Sequence, residues 1–347
     1  MISQVRRLAL YGLTLLTAAA LSACQQPSAG GGGGPAAGGG SAPRLKIAMM
    51  PKSKSLDYFN ACEQGGREAA SELGDVEFIY NGPADARSED QSRMVDAWRV
   101  RGVDVICIAC NDQDQIAPAL KRAKDAGIAV LTYDADANPA TSGRDFFVNQ
   151  ASVQAIAEAL VDEMARQAGE NAQVAYVSSS PTAPNQKEWI AAMTPYIAAA
   201  HPGLKVVTTQ YAGEDQQTAF EKTQELLKAY PQVTGIWGMT SVAFPGAARA
   251  VEDAGRAGQV HVVGLSLPKQ MKSFVMNGVV ESVILWNPVD LGYLTVLAAH
   301  AVAKGELTPG ASEFQAGRLG TVQVEGDQIL LGKPMRFTKE NIGDYQF

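Results

Sequence analysis

Residues 45–80 read LKIAMMPKSKSLDYFNACEQGGREAASELGDVEFIY. Two apolar runs, at 45–49 and 76–80, have the length and composition of buried β-strands. Between them, residues 58–73 repeat apolar side chains at the spacing of a helix that buries one face. A strand, a helix and a strand in this order predict a βαβ unit, whose two strands lie parallel in one sheet.

The same alternation continues along the chain and divides near residue 150 into two similar halves. Further helices are predicted at 91–101, 115–126, 153–168, 187–200, 218–229 and 245–254. Further strands are predicted at 103–108, 129–132, 173–177, 205–210, 235–237, 261–264 and 282–284. This pattern predicts an α/β fold with two doubly wound parallel-sheet lobes, whose ligand binds beyond the carboxyl ends of the strands. Two lobes that face each other in this way close on a ligand by hinge bending.

The start of the chain has the features of export and tethering. A positively charged beginning leads into an apolar stretch, 8–20, that is too short to span a bilayer. The sequence LSAC at 21–24 resembles the bacterial lipoprotein signal, which implies cleavage before Cys24 and a lipid on Cys24. An uncleaved membrane anchor is the alternative. We therefore expect a signal peptide at 1–23, a flexible Gly-rich linker at 24–43, and a protein tethered to the periplasmic or cell-surface side of a bacterial membrane.

Composition and motifs argue against several classes of function. The chain has 29 Lys and Arg against 36 Asp and Glu, and this acidic balance argues against nucleic acid as a partner. None of the three histidines neighbours a Ser or Cys in a nucleophile motif, and no His or Cys spacing indicates a metal site. We therefore expect a binding protein that is not an enzyme and needs neither cofactor nor metal.

One C-x-x-C pair, Cys107 and Cys110, lies at the end of a predicted strand. A redox role or half of a zinc site is one interpretation. Positions three apart on a strand lie on opposite faces of the sheet, so the two thiols are expected to point apart and to serve as core residues.

The loops that follow predicted strands carry the candidate binding residues. They are rich in carboxylates, amides and aromatic rings, with one or two lysines. Carboxylates and amides match the vicinal hydroxyls of a sugar, and aromatic faces cover its apolar side. The candidates for ligand binding are Lys52, Asp57, Tyr58, Phe59, Asn111, Asp134, Asp136, Asn149, Asn185, Gln186, Met239, Ser241, Ser266 and Trp286.

Some of these residues have a structural role as the alternative. Lys52 is otherwise a solvated surface lysine. Asp134 is otherwise a turn residue, and Asn185 a helix cap. Trp286 is otherwise part of the core.

Five segments together resemble the periplasmic sugar-binding proteins of ABC importers, of the ribose-binding type (type I). These are Pro51-Lys52-Ser53, Tyr58-Phe59, 131–136, 264–268 and 286–293. Within this group the chain is most similar to the branch that binds rhamnose or autoinducer-2, and the similarity covers residues 45–347. Lys52 and Asp134 occupy the positions of a ligand-binding Lys and Asp of autoinducer-2 binders. The resemblance implies a monomeric receptor for a small sugar-like ligand, with a membrane permease and its ATPase as partners.

Departures from the sequence patterns of autoinducer-2 binders and ribose binders reduce the range of ligands that we expect. Where autoinducer-2 binders have an Asp-Gln pair and a Pro-x-Ala, this chain has Asn-Gln at 185–186 and Met-Thr-Ser at 239–241. Leu56 and Ala135 stand where ribose binders have an Asn and an Arg. The runs at 287–293 and 316–320 are more similar to those of rhamnose binders. The resemblance therefore favours a rhamnose-like sugar, with autoinducer-2 as the alternative. A receptor that reports its ligand to a membrane signalling protein is the alternative to transport.

The predicted lobes are discontinuous in sequence. We expect an N-terminal lobe from 44–149 and 287–316, and a C-terminal lobe and tail from 150–286 and 317–347. Three hinge crossings, near Asn149, Trp286 and Gly317, are expected to join them.

Overall fold

A computed structural model describes residues 44–347 of the chain. The predicted signal peptide, the predicted lipid site Cys24 and the linker lie outside these residues. In the part that is described, no helix combines the length and the apolar character needed to cross a membrane.

The elements alternate as the sequence predicts. The first run consists of β1 (Leu45–Met50), α1 (Asp57–Leu73), β2 (Val76–Tyr80), α2 (Ser88–Arg101), β3 (Val105–Ile108), α3 (Ala117–Asp125), β4 (Ala129–Tyr133), α4 (Pro139–Ser142) and β5 (Phe146–Asn149). The second run consists of α5 (Val153–Ala168), β6 (Gln173–Ser178), α6 (Pro184–Ala200), β7 (Lys205–Tyr211), α7 (Gln216–Ala229), β8 (Gly235–Gly238), α8 (Ala243–Asp253), β9 (His261–Gly264), α9 (Pro268–Met276) and β10 (Ser282–Leu285). The chain ends with α10 (Pro288–Lys304), β11 (Glu313–Gln315), β12 (Thr321–Glu325), β13 (Gln328–Leu330) and β14 (Met335–Thr338).

Two sheets organise the molecule, and both are parallel except for β11 and β12, which run antiparallel at one edge of the first. The first has the order β11-β12-β13-β5-β4-β3-β1-β2, and we call it with its helices the first lobe. The second has the order β7-β6-β8-β9, and it continues through the Leu265–Ile284 bridge into the antiparallel pair β10-β14; this is the second lobe. The doubly wound α/β fold predicted from the sequence is confirmed.

The chain crosses between the lobes after β5, after β10 and after β13. The last of these differs from the crossing predicted near Gly317, and β12 and β13 do not belong to the second lobe as predicted. Ile329 of β13 pairs with Val148 of β5, so the segment completes the first sheet. Gly317 instead occupies a turn with φ +52°, where an added Cβ would lie 2.3 Å from the Tyr293 hydroxyl.

Helices α1 and α10 pack backbone against backbone under the first sheet. A Cβ on Gly65 would lie 1.7 Å from the Val289 carbonyl oxygen, and one on Gly292 would lie 1.8 Å from the Cys62 carbonyl oxygen. Glycine at both positions therefore allows the close approach. This contact fixes the start of α1 relative to the strand ends.

The cysteines within residues 44–347 are unpaired and buried. Cys107 packs in the core on one face of the first sheet, and Cys110 packs with the separate cluster on the other face. Burial raises the pKa of both thiols. The prediction that these two thiols point apart and pack in the core is thus correct, and neither is an exposed, reactive thiolate.

A buried carboxylate attaches the C-terminal strand to the second lobe. Glu163 of α5 is 6% exposed and accepts hydrogen bonds from Arg336 of β14 at 3.0 Å and from Arg166 at 2.7 Å. Burial alone would raise the pKa of Glu163, but these hydrogen bonds, with those from Ser282 and Gln167, outweigh it and lower the pKa to about 2.

Candidate functional site

A cavity lies between the lobes at the carboxyl ends of the strands. Its space free of protein atoms, including the open mouth, is about 390 Å³, but only about 40 Å³ of this admits the centre of a water-sized sphere, so the lobes are closed tightly around it. The first lobe contributes Lys52, Leu56, Tyr58, Phe59 and Asp134. The second lobe and its crossing segment contribute Asn185, Gln186, Trp189, Glu214, Met239, Thr240, Ser241, Leu265, Leu285 and Trp286.

A chain of hydrogen bonds runs across this cavity. Trp286 Nε1 donates to the Tyr58 hydroxyl at 2.6 Å, and that hydroxyl donates to Asp134 Oδ1 at 2.8 Å. Asn185 Nδ2 donates to Asp134 Oδ2 at 3.4 Å, and Lys52 Nζ donates to Asn185 Oδ1 at 2.9 Å. The network therefore joins three first-lobe side chains, one second-lobe amide and the crossing segment.

Asp134 is held in an unusual backbone conformation at the end of β4. Among residues 44–347, it is the non-glycine residue with a positive φ, of +60°, which costs energy and is typical of functional sites. Burial raises the pKa of its carboxyl, while the charge of Lys52 and the hydrogen bond from Tyr58 oppose this rise. The turn aims a desolvated carboxyl group into the cavity.

Lys52 is 3% exposed, so it is not the solvated surface lysine that was the alternative. Asn111 does not line the cavity but holds this loop, because its Nδ2 donates to the Lys52 carbonyl at 3.0 Å. Gln91 Nε2 donates to the Pro51 carbonyl at 3.1 Å and to the Ala109 carbonyl at 2.7 Å. The Lys52 ammonium is thus positioned by a rigid loop.

The first turn of α6 presents two amides to the cavity. Asn185 does not cap its helix, whose N-cap residue is Ala183 without a side-chain cap. Gln186 Nε2 lies 3.5 Å from the Met239 carbonyl, and within residues 44–347 its buried Oε1 has no hydrogen-bond partner. Such an acceptor in a cavity is suited to a ligand donor.

Two tryptophans form an aromatic corner of the cavity. Trp189 lies one turn after Asn185 on α6 and meets Trp286 edge to face, with ring centroids 5.9 Å apart. Tyr58 also meets Trp286 edge to face, at 6.3 Å. Aromatic faces arranged in this way suit the apolar side of a sugar ring.

Two predicted site residues have structural partners away from the cavity. Asp136 pairs with the guanidinium of Arg144 at 2.6 Å, and Arg144 also pairs with Asp327 at 2.9 Å. Asn149 Nδ2 donates to Gln328 Oε1 at 3.0 Å, which ties β5 to β13. Asp136 follows β4 and Asn149 is the last residue of β5, but both side chains contact residues of the first lobe instead of the cavity.

Asp57 and Ser266 also lie outside the cavity lining. Asp57 Oδ2 accepts from Gln270 Nε2 at 3.0 Å, and the Ser266 hydroxyl donates to the Ser241 carbonyl at 2.8 Å.

Trp189 and Glu214 line the cavity but were not predicted. Trp189 follows the predicted residue Asn185 by four positions, which places both on one helix face. Glu214 lies in the loop after β7, an exit loop like those that supplied the candidates. Burial raises the pKa of Glu214, the charge of Lys52 opposes the rise, and Asp134 adds to it. In the described part of the chain, no three metal-ligating side chains come together.

Comparison with known proteins places this geometry in context. The sequence model for the periplasmic binding protein domain matches residues 47–307. The D-ribose/D-allose-binding protein of Pseudomonas aeruginosa is 27% identical over 67% of this chain and 74% of its own length.

Solved structures of solute binding proteins are also similar to this chain. An ABC transporter solute binding protein from Clostridium phytofermentas with bound L-rhamnose is 30% identical, with a TM-score of 0.82 over 87% of this chain and 98% of its own. LsrB from Clostridium saccharobutylicum in complex with AI-2 also has a TM-score of 0.82, over 87% of this chain and 100% of its own. Its 23% identity makes it a likeness of fold alone.

Proposed function

The chain belongs to the periplasmic binding protein family, and from this premise we propose that its cavity captures a monosaccharide of the rhamnose type. Like its relatives, it is a sugar-binding component of an ABC transporter and not an enzyme. It acts outside the cytoplasm and delivers the sugar to the transporter's permease.

The observation that carries the sugar proposal is the hydrogen-bond network across the cavity. The carboxyl of Asp134 and the ammonium of Lys52 both lie within hydrogen-bonding distance of the Asn185 amide. Together they offer acceptors and donors to adjacent hydroxyls, while Trp189 and Trp286 offer ring faces. Hydroxyls of a bound sugar would compete with the direct contacts of Asn185.

An apolar wall favours a sugar that lacks one hydroxyl. Leu56, Leu265, Leu285 and Met239 line the same cavity as the polar network. The C6 methyl group of L-rhamnose fits such a wall, whereas a C6 hydroxyl would have to give up its water there. The relative with bound L-rhamnose also supports this choice.

Calorimetric titration with L-rhamnose and L-mannose tests the proposal, because these sugars differ only in the hydroxyl at C6. We expect one site, at least about tenfold tighter for L-rhamnose, since an unpaired buried hydroxyl costs about 1–3 kcal/mol. D-Ribose, D-allose and autoinducer-2 complete the panel. No binding of any sugar would contradict the function, and tighter binding of D-ribose or autoinducer-2 would contradict the choice of ligand.

We also propose that the protein is a monomer anchored by lipid on Cys24. The lipoprotein-like sequence and the Gly-rich linker support the anchor. Metabolic labelling with a fatty acid should mark the native chain and not the Cys24→Ser variant. Equal labelling of both would contradict the proposal.

A further inference from the structure

A line of polar contacts joins the lobes beside the cavity. Gln270 Nε2 on α9 of the second lobe donates to Asp57 Oδ2 on α1 of the first lobe, at 3.0 Å. Behind it, the Ser266 hydroxyl lies 2.8 Å from the Ser241 carbonyl oxygen and 3.1 Å from Gln270 Oε1, so these two acceptors share its single proton. Gln270 is thus oriented at one end by its own lobe and bonded at the other to the opposite lobe.

Both ends of this line connect to residues that line the sugar cavity. Ser241 lines the cavity in the second lobe. Asp57 directly precedes Tyr58, whose hydroxyl contacts Asp134 and Trp286. The Asp57–Gln270 contact itself lies in a separate groove between α1 and α9, away from the sugar. A ligand that orders Tyr58 and Ser241 therefore also orders the two partners of this contact.

The second-lobe side of the contact is firmly anchored. The backbone N–H of Lys269 donates to the Phe347 carbonyl at 3.2 Å, which fixes the start of α9 to the C-terminus. Ser266 is fully buried. Asp57 is exposed, so water competes with the bond and its contribution is moderate.

We infer that the Asp57–Gln270 hydrogen bond is a closure latch, which holds the lobes together and slows release of the sugar without touching it. This inference rests on the proposed function. The latch stabilises the closed state only, so its loss raises the dissociation rate for every sugar that the closed cavity accepts.

Charge substitutions at Gln270 give the sharpest test. Gln270→Glu places a second carboxylate opposite Asp57 and is expected to weaken L-rhamnose binding at least about tenfold, mainly through a faster dissociation rate. Gln270→Ala and Asp57→Ala should each weaken it by about 3- to 10-fold, and the double variant no more than either alone. Stopped-flow tryptophan fluorescence measures both rate constants, since Trp189 and Trp286 line the cavity.

Gln346→Glu is the matched control. Gln346 lines the same groove, but its side chain bonds within its own lobe, to the Gly343 carbonyl at 3.1 Å. It should change L-rhamnose affinity less than twofold. An equal loss in Gln346→Glu, or a Gln270→Glu affinity within twofold of the parent, would overturn the latch.

A ligand-free measurement separates the latch from the identity of the sugar. Small-angle scattering should give a larger radius of gyration for Gln270→Glu than for the parent and for Gln346→Glu. Equal radii would overturn the latch whatever the sugar. If the parent fails to bind L-rhamnose while Gln270→Glu is expanded, the choice of sugar is wrong and the latch stands.

Discussion

Replacing Tyr58 with phenylalanine removes one hydroxyl that serves two buried partners. That hydroxyl accepts from Trp286 Nε1 at 2.6 Å and donates to Asp134 Oδ1 at 2.8 Å. A hydrogen bond to a charged group contributes about 1.5–3 kcal/mol, and a buried donor left without a partner costs about 1–3 kcal/mol. Because one hydroxyl makes both bonds, these contributions overlap. We expect Tyr58→Phe to lower the free energy of unfolding by about 2–4 kcal/mol.

Tyr176→Phe is the matched control for this experiment. Tyr176 is 2% exposed, and among residues 44–347 its buried hydroxyl has no hydrogen-bond partner. Removing a buried hydroxyl without a partner relieves a desolvation cost, so this variant should keep or slightly raise the stability. Urea unfolding, followed by tryptophan fluorescence, measures both variants against the parent.

The pH dependence of the destabilisation by Tyr58→Phe tests whether the carboxyl of Asp134 is the partner of the Tyr58 hydroxyl. The Tyr58 hydroxyl favours the ionised form of Asp134, because it lowers the pKa of a carboxyl that burial has raised. Its contribution is therefore present above the pKa of the folded carboxyl and is lost as the pH falls through that value. The destabilisation by Tyr58→Phe should shrink as the pH is lowered, and the effect of Tyr176→Phe should not change. Equal effects of the two variants, or a Tyr58→Phe loss independent of pH, would refute this reasoning.

Three further substitutions test the scaffold around the cavity. Glu163→Gln should lower the free energy of unfolding by up to about 3 kcal/mol near neutral pH. Because the folded pKa of Glu163 is about 2, urea unfolding at several pH values should show this destabilisation disappear as the pH falls toward that value. Gly65→Ala should destabilise by about 3 kcal/mol or more, since the added carbon would lie 1.7 Å from the Val289 carbonyl oxygen; a melting temperature equal to the parent's would contradict the described packing of α1 on α10. His201→Gln should lower the free energy of unfolding mainly at acid pH. Burial would lower the pKa of His201, but hydrogen bonds to two carboxylates outweigh burial and raise the pKa. The stabilisation by His201 is therefore complete below the unfolded pKa and is lost as the pH rises through the folded pKa, which melting curves at acid and alkaline pH would detect.

The sequence predicted most of the strands that lie inside the two sheets, but it missed β5, Phe146–Asn149. Such strands are buried on both faces and read as short continuous apolar runs, as in β3, Val105–Ile108. It missed β12 and β13 because these strands have only five and three residues, with two apolar side chains in each. It missed α10 because its buried residues surround the helix and leave no one-sided apolar stripe. The third crossing was misplaced because β12 and β13 were not predicted as strands of the first sheet.

The site was partly predictable because the exit loops of parallel strands meet at one edge. Which side chain in a loop reaches the cavity depends on local backbone geometry that the sequence does not display. Asp134 and Asp136 belong to one loop, yet the positive φ of Asp134 aims it inward while Asp136 pairs with Arg144. The ligand-binding roles of the cavity residues remain predictions.

We expect the charges of the cavity to restrict the class of sugar that it accepts. Asp134 and Glu214 face one ammonium group, that of Lys52, and burial raises the pKa of both carboxyls. A negatively charged sugar, such as a uronate or a phosphorylated sugar, would add a third acidic group to this desolvated space and raise those pKa values further. A neutral sugar would instead donate hydroxyl protons to the carboxylates and accept from Lys52, so it would satisfy all three groups without adding charge. The same balance accounts for a buried lysine beside two acids in a cavity whose other lining residues are neutral.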